Sequence, residues 1–340
     1  MMNTLKKPVY NVTPGTVIKG KWHQKRYSVI KSLGYGATGS VYLAEGKDGL
    51  VALKISDDSM AITSEVNVLR HLSKVQGCLG PSLLDVDDWV LPSNRNPLHF
   101  YAMEYLKGSG FLSYIKQNGE EWISVLILQL LSDLDRLHQQ GWAFGDLKPD
   151  NLLVVGPPSR VRWLDVGGTT VLGRSIKEFT EFYDRGYWNL GSRRAEPSYD
   201  LFAVGMIMIN TAYPDRLSKK GEVGNYLPQL IKAIQAKPSL KTYETVITKA
   251  LQGRYVSAQE MRQELIAALS SRSAAKKPLS SNSNRVGKSR TGAKAIKTTN
   301  NKRQPKKSER SSRFRGVIET LMIAIFLLVA YFLYIAGHMM

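Results

Sequence analysis

The order of the repeating patterns along the chain is the feature that most constrains its fold. Apolar and polar side chains alternate between residues 26 and 50, with glycine interruptions that predict a hairpin. Further strands are predicted at 51–55, 100–106, 152–155 and 161–164. Apolar residues at helical spacing predict helices at 62–72, 122–138, 201–209, 225–236 and 257–269. Strands followed by helices predict an α+β fold, with a small β-rich lobe joined to a larger helical lobe.

The distribution of charge divides the chain into segments. The formal net charge is +19, yet residues 272–315 alone hold fifteen Lys or Arg and one acid. Residues 270–316 contain too few apolar side chains to bury a core, so we predict a disordered basic linker there. The preceding residues are divided into an N-terminal arm at 1–25 and a folded domain at 26–269.

The C-terminal segment has the composition of a transmembrane helix. Residues 317–337 are 21 in number, and their only polar side chains are Glu319, Thr320 and two tyrosines. A helix of about 20 residues crosses the hydrocarbon core of a bilayer. Basic residues precede the segment and only His338 follows it as a polar residue. The positive-inside bias then predicts a single-pass C-terminal anchor, with the folded domain on the cytoplasmic face of the cell membrane.

A glycine-rich stretch, LGYGATGSVYLA, contains Gly34, Gly36 and Gly39. A dinucleotide-binding fold would place this pattern between a strand and a helix, but residues 40–44 still have the pattern of a strand. A glycine loop between two strands can instead cover nucleotide phosphates with its backbone N–H groups. A plain hairpin turn is the alternative, and the motif alone does not decide between the two.

The segment VALK ends a predicted strand with Lys54. A lysine in an apolar strand is costly to bury without a partner. Glu65, eleven residues later in the predicted helix 62–72, is the expected partner. Such a pair would hold Lys54 against the α- and β-phosphates of a nucleotide, whereas a solvated strand lysine is the simpler alternative.

Four polar residues carry the chemistry that the sequence predicts. In WAFGDLKPDNLLV, Asp146 would accept the proton of a hydroxyl nucleophile and Lys148 would neutralise charge on a transferred phosphoryl group. Asn151 would bind Mg²⁺, and Asp165 in WLDVGG would bind the Mg²⁺ that bridges the phosphates. Taken singly, these residues fit a polar loop and a strand-end cap. Their order behind the glycine-rich loop and Lys54 favours phosphoryl transfer.

With these motifs in place, residues 26–268 resemble the bacterial eukaryotic-like serine/threonine protein kinases. The resemblance is carried by GYGATGSV, VALK, Glu65, DLKPDN and DVG, together with YDLFAVG and RYVSAQEM. A basic linker followed by one C-terminal membrane helix resembles the membrane-anchored kinases of spore-forming bacteria, which associates the chain with sporulation. The resemblance implies the two-lobed protein-kinase-like fold.

The resemblance also implies a nucleotide site. ATP and Mg²⁺, with Mn²⁺ as an alternative ion, are the expected cofactors. Met103 to Leu106 would form the hinge between the lobes, where backbone groups of Glu104 and Leu106 hold adenine. Asp200 would brace the catalytic loop. The full expected ATP-binding set is Leu33, Gly34, Gly36, Gly39, Val41, Ala52, Lys54, Glu65, Met103, Glu104 and Leu106.

Three departures from the family pattern affect regulation more than chemistry. Phe144-Gly145 stands where the family has His-Arg, and Val166 replaces the phenylalanine of Asp-Phe-Gly. That arginine ordinarily pairs with a phosphate on the activation segment. Glu196 lies too close to Asp200 for the family's Ala-Pro-Glu motif, which leaves Arg254 without an assigned partner. We therefore expect activity that does not strictly require phosphate at Thr169, Thr170, Ser175 or Thr180.

The sequence therefore predicts an active, membrane-tethered serine/threonine kinase with protein substrates. A catalytically weak kinase-like scaffold, which binds its partners through the basic linker, is the alternative. The charge of residues 272–315 predicts an anionic partner, either DNA bound without sequence specificity or anionic lipid. DNA binding would gather kinase molecules, and this self-association would promote autophosphorylation in trans.

Overall fold

The computed structural model describes residues 12–275, apart from 37, 75–79, 92–95, 222–223 and 225. Its strands are β1 Val17–Lys19, β2 Arg26–Gly36, β3 Gly39–Gly46, β4 Gly49–Ser56, β5 Leu83–Trp89, β6 Leu98–Glu104, β7 Ser109–Gly110, β8 Trp142–Ala143, β9 Leu152–Val155, β10 Arg160–Trp163 and β11 Thr170–Val171. Its helices are α1 Ser59–Leu72, α2 Phe111–Asn118, α3 Glu121–Gln139, α4 Pro197–Ala212, α5 Leu227–Gln235, α6 Pro238–Lys241, α7 Glu244–Leu251 and α8 Ala258–Ala275.

The N-terminal lobe is built on a six-stranded sheet in the order β1-β2-β3-β4-β6-β5. All five strand pairs in this sheet are antiparallel, and the predicted hairpin is the β2-β3 pair, which closes at Gly36 opposite Gly39. Strand β1 pairs with β2, so the boundary predicted at residue 25 is moved and the arm is part of the sheet from Val17. The arm lacks the alternation of a long strand, and only its pairing with β2 makes it one.

Helix α1 packs against the sheet between β4 and β5. It begins three residues earlier than the predicted 62–72, because the Asp58 carboxylate accepts hydrogen bonds from the backbone N–H groups of Met60 and Ala61. This N-cap satisfies donors that the first helical turn leaves without partners. Glu65 lies on the buried face of α1 with Val66 and Leu69. The helix therefore brings a carboxylate to the inner side of the sheet.

The C-terminal lobe is helical, as the pattern order predicts. Helix α3 buries a continuous leucine-rich face, and it packs against α4 and α8. Helix α4 is buried along nearly its whole length, which agrees with the interpretation of residues 201–209 as a core helix. Small sheets formed by β7, β9 and β10, and by β8 and β11, lie among these helices. They support the loops that carry Asp146 and Asp165.

The predicted boundary at residue 270 also moves. Helix α8 continues to Ala275, and the hydroxyls of Ser270 and Ser271 donate to the carbonyls of Ile266 and Ala267 within it. These local bonds let a serine-rich segment continue the helix. The rest of the predicted linker and the predicted transmembrane helix at 317–337 lie outside the described residues. Within the described part of the chain, every helix is too short or too polar to cross a bilayer.

Candidate active site

The glycine-rich stretch forms the turn between β2 and β3. Gly34 is paired with Val41 and Gly36 with Gly39, so a strand follows the glycines. This context excludes the dinucleotide-binding alternative, which requires a helix at that position. A Cβ atom built on Gly34 or Gly36 would meet nothing within 4 Å, so the side of the loop that these residues present is open. The backbone there is accessible to a ligand.

Lys54 and Glu65 form the predicted ion pair. Lys54 Nζ lies 2.7 Å from Glu65 Oε1, and the two side chains are only 6% and 3% exposed. The same carboxylate accepts hydrogen bonds from Thr38 Oγ1 at 2.9 Å and from the Tyr101 hydroxyl at 2.8 Å. Burial and the Glu65 and Asp165 carboxylates raise the pKa of Tyr101 well above its ordinary value, so its phenol stays a donor. Glu65 thus joins the glycine-rich loop, β4 and β6.

Gly145 is required by the backbone of the loop that carries Asp146. Its φ is +86°, in the left-handed region that glycine alone adopts freely. A Cβ atom at this position would also lie 2.5 Å from the carbonyl oxygen of Gly168. A larger residue such as the family's arginine would therefore require both segments to shift. This close approach explains why glycine precedes Asp146.

Asp200 braces this loop from helix α4, as the resemblance implies. Its buried carboxylate accepts hydrogen bonds from the backbone N–H groups of Phe144 at 2.7 Å and Gly145 at 2.9 Å. His138, at the end of α3, contacts the same carboxylate through Nε2 at 2.8 Å. Three separate segments therefore meet at one buried acid, which fixes the position of the following Asp146.

Asp146 is held by two neighbouring groups. Lys148 Nζ lies 2.5 Å from Asp146 Oδ2 and 3.0 Å from Thr180 Oγ1, and the Thr180 hydroxyl donates to Asp146 Oδ1 at 2.9 Å. Asn151 Nδ2 donates to the Asp146 carbonyl at 2.9 Å. The sequence interpretation grouped Asp146, Lys148 and Asn151, but it treated Thr180 only as a phosphate acceptor. Thr180 is 34 residues away from Asp146, and no local pattern marks the contact.

The Asp165 segment lies against both of these clusters. A Cβ atom at Gly167 would be 3.2 Å from Asp165 Oδ1 and 3.2 Å from Glu65 Oε1. A Cβ atom at Gly168 would be 3.0 Å from the Asp146 backbone nitrogen. The two glycines therefore allow close contact between the Asp165 turn, the Lys54–Glu65 pair and the loop that carries Asp146. The residues predicted from separate motifs converge on one site.

A further carboxylate, which the sequence interpretation missed, faces the same site. Glu178 is half-buried and forms no hydrogen bond or ion pair with the other described residues. Burial, and then the negative charge of Asp165, raises its pKa above the ordinary value, while Lys54 acts in the opposite direction. The site therefore contains several acids, and bound cations would relieve the repulsion between them.

The predicted hinge, Met103 to Leu106, begins with the last two residues of β6. Met103 is paired with Ala52 across the sheet, and Met103 and Leu106 are buried. Burial alone would raise the pKa of Glu104, but Arg162 and Ser82 hold it below its ordinary value. The remaining predicted contacts, Leu33 and Val41, lie on β2 and β3 beside the glycine turn.

The four hydroxyls considered on the activation segment differ in their exposure. Thr169 and Thr170 are 0% and 1% exposed, so these hydroxyls are closed to phosphorylation in this conformation. Ser175 is exposed. Arg185 Nη2 lies 2.5 Å from Glu196 Oε1, which gives Glu196 a partner other than Arg254. The Arg254 side chain is exposed and forms no ion pair with the residues that the structure describes.

Comparisons with known proteins agree with this geometry. The sequence profile described as protein kinase domain matches residues 27–300. The chain is 50% identical over 331 residues to the serine/threonine-protein kinase YabT of Bacillus subtilis (strain 168), an alignment that covers 96% of this chain and 95% of that protein. It is 28% identical over 209 residues to the probable serine/threonine-protein kinase PknB of Lactococcus lactis, covering 56% of this chain and 32% of that protein.

A solved structure matches the fold as well. The kinase domain of Mycobacterium tuberculosis PknI superposes with a TM-score of 0.54 at 17% identity, covering 76% of this chain and 100% of that domain. At this identity the match supports the two-lobed fold alone. Together with the profile match and the half-identical relative, it confirms the expectation drawn from the motifs. The chain belongs to the protein kinase family, and it is a protein serine/threonine kinase.

Proposed function

We propose that this kinase transfers the γ-phosphoryl group of ATP to serine and threonine hydroxyls, with Asp146 as the base. The substrate oxygen forms a bond to the γ-phosphorus, the bond to the β,γ-bridging oxygen breaks, and ADP leaves. The substrate proton passes to the Asp146 carboxylate. The observation that carries the proposal is the placement of Asp146 between Lys148 and Thr180, in a loop braced by Asp200. Lys148 would offset the growing charge on the phosphoryl group.

The nucleotide would lie between the lobes. The open backbone of the glycine-rich loop would cover the phosphates, and Lys54 would contact the α- and β-phosphate oxygens while Glu65 keeps it in place. Backbone groups of Glu104 and Leu106 would hold the adenine against Leu33, Val41, Ala52 and Met103.

Asn151 and Asp165 have the chemistry that a magnesium site requires. Asn151 Nδ2 is engaged by the Asp146 carbonyl, and Asp165 Oδ1 accepts the Gly167 N–H at 2.9 Å. Asn151 Oδ1 and Asp165 Oδ2 accept no hydrogen bond from the other described residues. Hard oxygen ligands suit Mg²⁺, and also Mn²⁺. The ion would neutralise negative charge on the phosphate oxygens.

Incubation with radiolabelled ATP and a generic basic protein tests this function. We expect divalent-dependent labelling of serine and threonine, in the substrate and in the kinase. A chain that labels nothing with either Mg²⁺ or Mn²⁺ would instead support the scaffold alternative.

A prediction concerns Thr180. Replacing Thr180 by Val removes the hydroxyl that donates to Asp146 and accepts from Lys148, and we expect the turnover number to fall about tenfold to a hundredfold. Thr180→Ser keeps the hydroxyl and is expected to stay within a few-fold of the unmodified enzyme. Steady-state assays of both variants would measure the difference. Equal activity of the two variants would show that the hydroxyl has no role in positioning Asp146.

We also propose that residues 317–337 anchor the kinase in the membrane, with its catalytic domain on the cytoplasmic face. The support is the 21-residue apolar segment and the basic residues that precede it. Recovery of the full chain in the membrane fraction after alkaline extraction, and of a chain ending at Arg315 in the soluble fraction, would support the anchor. A full chain released by alkali would contradict it.

Finally, we propose that the linker binds the phosphate backbone of DNA. Binding to one DNA molecule would gather several kinase molecules and promote autophosphorylation in trans. The support is its charge, +14 between Arg272 and Arg315. The linker contains no aromatic residue before Phe314, so stacking on single-stranded bases is excluded as its main binding mode. Phosphates on its thirteen Ser and Thr, from Ser270 to Ser312, would weaken the interaction.

DNA binding by a chain ending at Arg315 can be compared with DNA binding by a chain ending at Ala275. The shorter chain keeps helix α8, which the boundary predicted at 270 would have cut. We expect only the longer chain to shift duplex DNA, independently of sequence, with log K falling by about 0.9 per released counterion per decade of salt. DNA should also raise its autophosphorylation. A longer chain that neither binds nor responds to DNA would leave anionic lipid vesicles as the next partner to test.

A further inference from the structure

A pocket of about 420 Å³ lies on the C-terminal lobe, lined by residues of α3, β10 and α8. Its polar lining consists of Gln129, Ser132, Asp133, Arg136, Arg160 and Arg262, and we call it the arginine pocket. None of these residues belongs to the active site described above. Three segments that are distant in sequence supply one arginine each, so the cluster of charge is a product of the fold.

The lining carries an excess of positive charge. Asp133 is its only acid, with a side chain 3% exposed at the base of the pocket. Arg136 donates a hydrogen bond to this carboxylate, and Arg160 Nη2 lies 3.6 Å from it. Counted over the lining residues alone, three arginines and one carboxylate give a formal charge of +2, because arginine stays protonated. The buried acid contacts two of the three arginines, Arg136 and Arg160.

Arg262 is oriented but has no anionic partner. Its Nε donates to the Leu128 carbonyl at 3.4 Å, which directs the guanidinium toward the pocket. Its terminal nitrogens form no hydrogen bond or ion pair with the described residues. The Ser132 hydroxyl is likewise without a described hydrogen-bond partner. Both side chains are partly buried, so an oriented arginine fork and a hydroxyl are available to a ligand.

We propose that the arginine pocket binds the phosphoryl dianion of a phosphorylated serine or threonine side chain. Arginine forks match phosphoryl oxygens in geometry and charge, and a dianion balances the excess charge that a single carboxylate would leave. Pockets of about 300–1,000 Å³ accommodate whole small ligands, so this one has room for more than a free phosphate ion. Because the enzyme is a serine/threonine kinase, its own products carry this group.

The test is a binding measurement on the full-length protein in detergent. A fluorescent peptide with neutral flanks and one phosphoserine is compared with its unphosphorylated form by anisotropy. The salt concentration is chosen so that the unphosphorylated peptide does not bind the basic linker. We expect the double variant Arg160→Gln and Arg262→Gln to weaken binding of the phosphopeptide by about tenfold per lost charge-assisted contact. This variant retains Arg136 as the partner of buried Asp133.

The matched control is Arg174→Gln with Arg254→Gln, which removes the same charge from two exposed arginines and should leave binding unchanged. A second variant, Ser132→Asp, keeps every arginine but places a carboxylate in the lining, and it should also weaken binding. Unchanged binding in both pocket variants, or equal loss in the control, would overturn the proposal. If inorganic phosphate competes as well as the phosphopeptide does, the proposal that the pocket recognises a phosphorylated side chain would be overturned.

Discussion

Replacing Asp146 by Asn should lower the turnover number about 10²- to 10⁴-fold, the contribution typical of a positioned general base. Asparagine fills the same space, keeps an oxygen acceptor for Lys148, and can donate its amide N–H to the Thr180 hydroxyl oxygen, so the loop should keep its shape. It cannot accept the substrate proton at neutral pH. Single-turnover transfer from radiolabelled ATP measures the loss, and the melting temperature should change little.

Asp150→Asn is the matched control for this variant. Asp150 lies four residues further along the same loop, is exposed, and has Arg216 as its ion-pair partner at 3.3 Å. The same change of charge there should leave turnover within a few-fold of the unmodified enzyme. Comparable losses in both variants would show that charge in the loop, rather than a base at Asp146, is responsible.

Replacing Lys54 by Met should lower the turnover number about 10²- to 10³-fold, since the group that we propose contacts the phosphates is lost. The substitution also removes the one described ion-pair partner of the buried Glu65 carboxylate. Breaking a buried pair costs about 3–5 kcal/mol when the remaining charge has no compensation. Thr38 and Tyr101 still donate to Glu65, so we expect a loss of stability below that range.

A second substitution separates stability from catalysis. Lys54→Met combined with Glu65→Gln removes both charges, and replacing both members of a buried pair is often close to neutral for stability. The double variant should therefore recover stability without recovering activity. Lys31→Met, at an exposed lysine on strand β2, is the control for loss of a cation from the sheet. Activity that returns together with stability would refute a phosphate-contacting role for Lys54.

The departures from the kinase pattern acquire a physical reason in the structure. Gly145 is held in a left-handed conformation against Gly168, so this backbone has no room for the arginine that ordinarily receives an activation-segment phosphate. Instead, the segment is tied down by contacts that need no phosphate, between Thr180 and Asp146 and between Arg185 and Glu196. These contacts agree with the expectation that phosphorylation of the segment is not strictly required.

The sequence by itself determined the order of the lobes and the chemical groups at the site. Periodicity reports which face of a strand or helix is buried, so the hairpin, α3 and the buried helix α4 could be predicted from local patterns. The Lys54–Glu65 pair was also predictable, because a lysine within an apolar strand requires a nearby acid. The ends of elements were less predictable, since Asp58 lengthens α1 and strand pairing incorporates Val17–Lys19.

Only the tertiary structure decided which distant residues complete the site. Thr180 contacts Asp146 across 34 residues, and Asp200 contacts Gly145 across 55. The arginine pocket likewise joins Arg136, Arg160 and Arg262 from three segments. No periodic pattern marks such contacts, because a hydrogen bond or ion pair depends on the relative placement of whole elements. That placement is set by the packing of the buried faces against one another. The local sequence shows only that a face is apolar, and it does not show which other face it packs against.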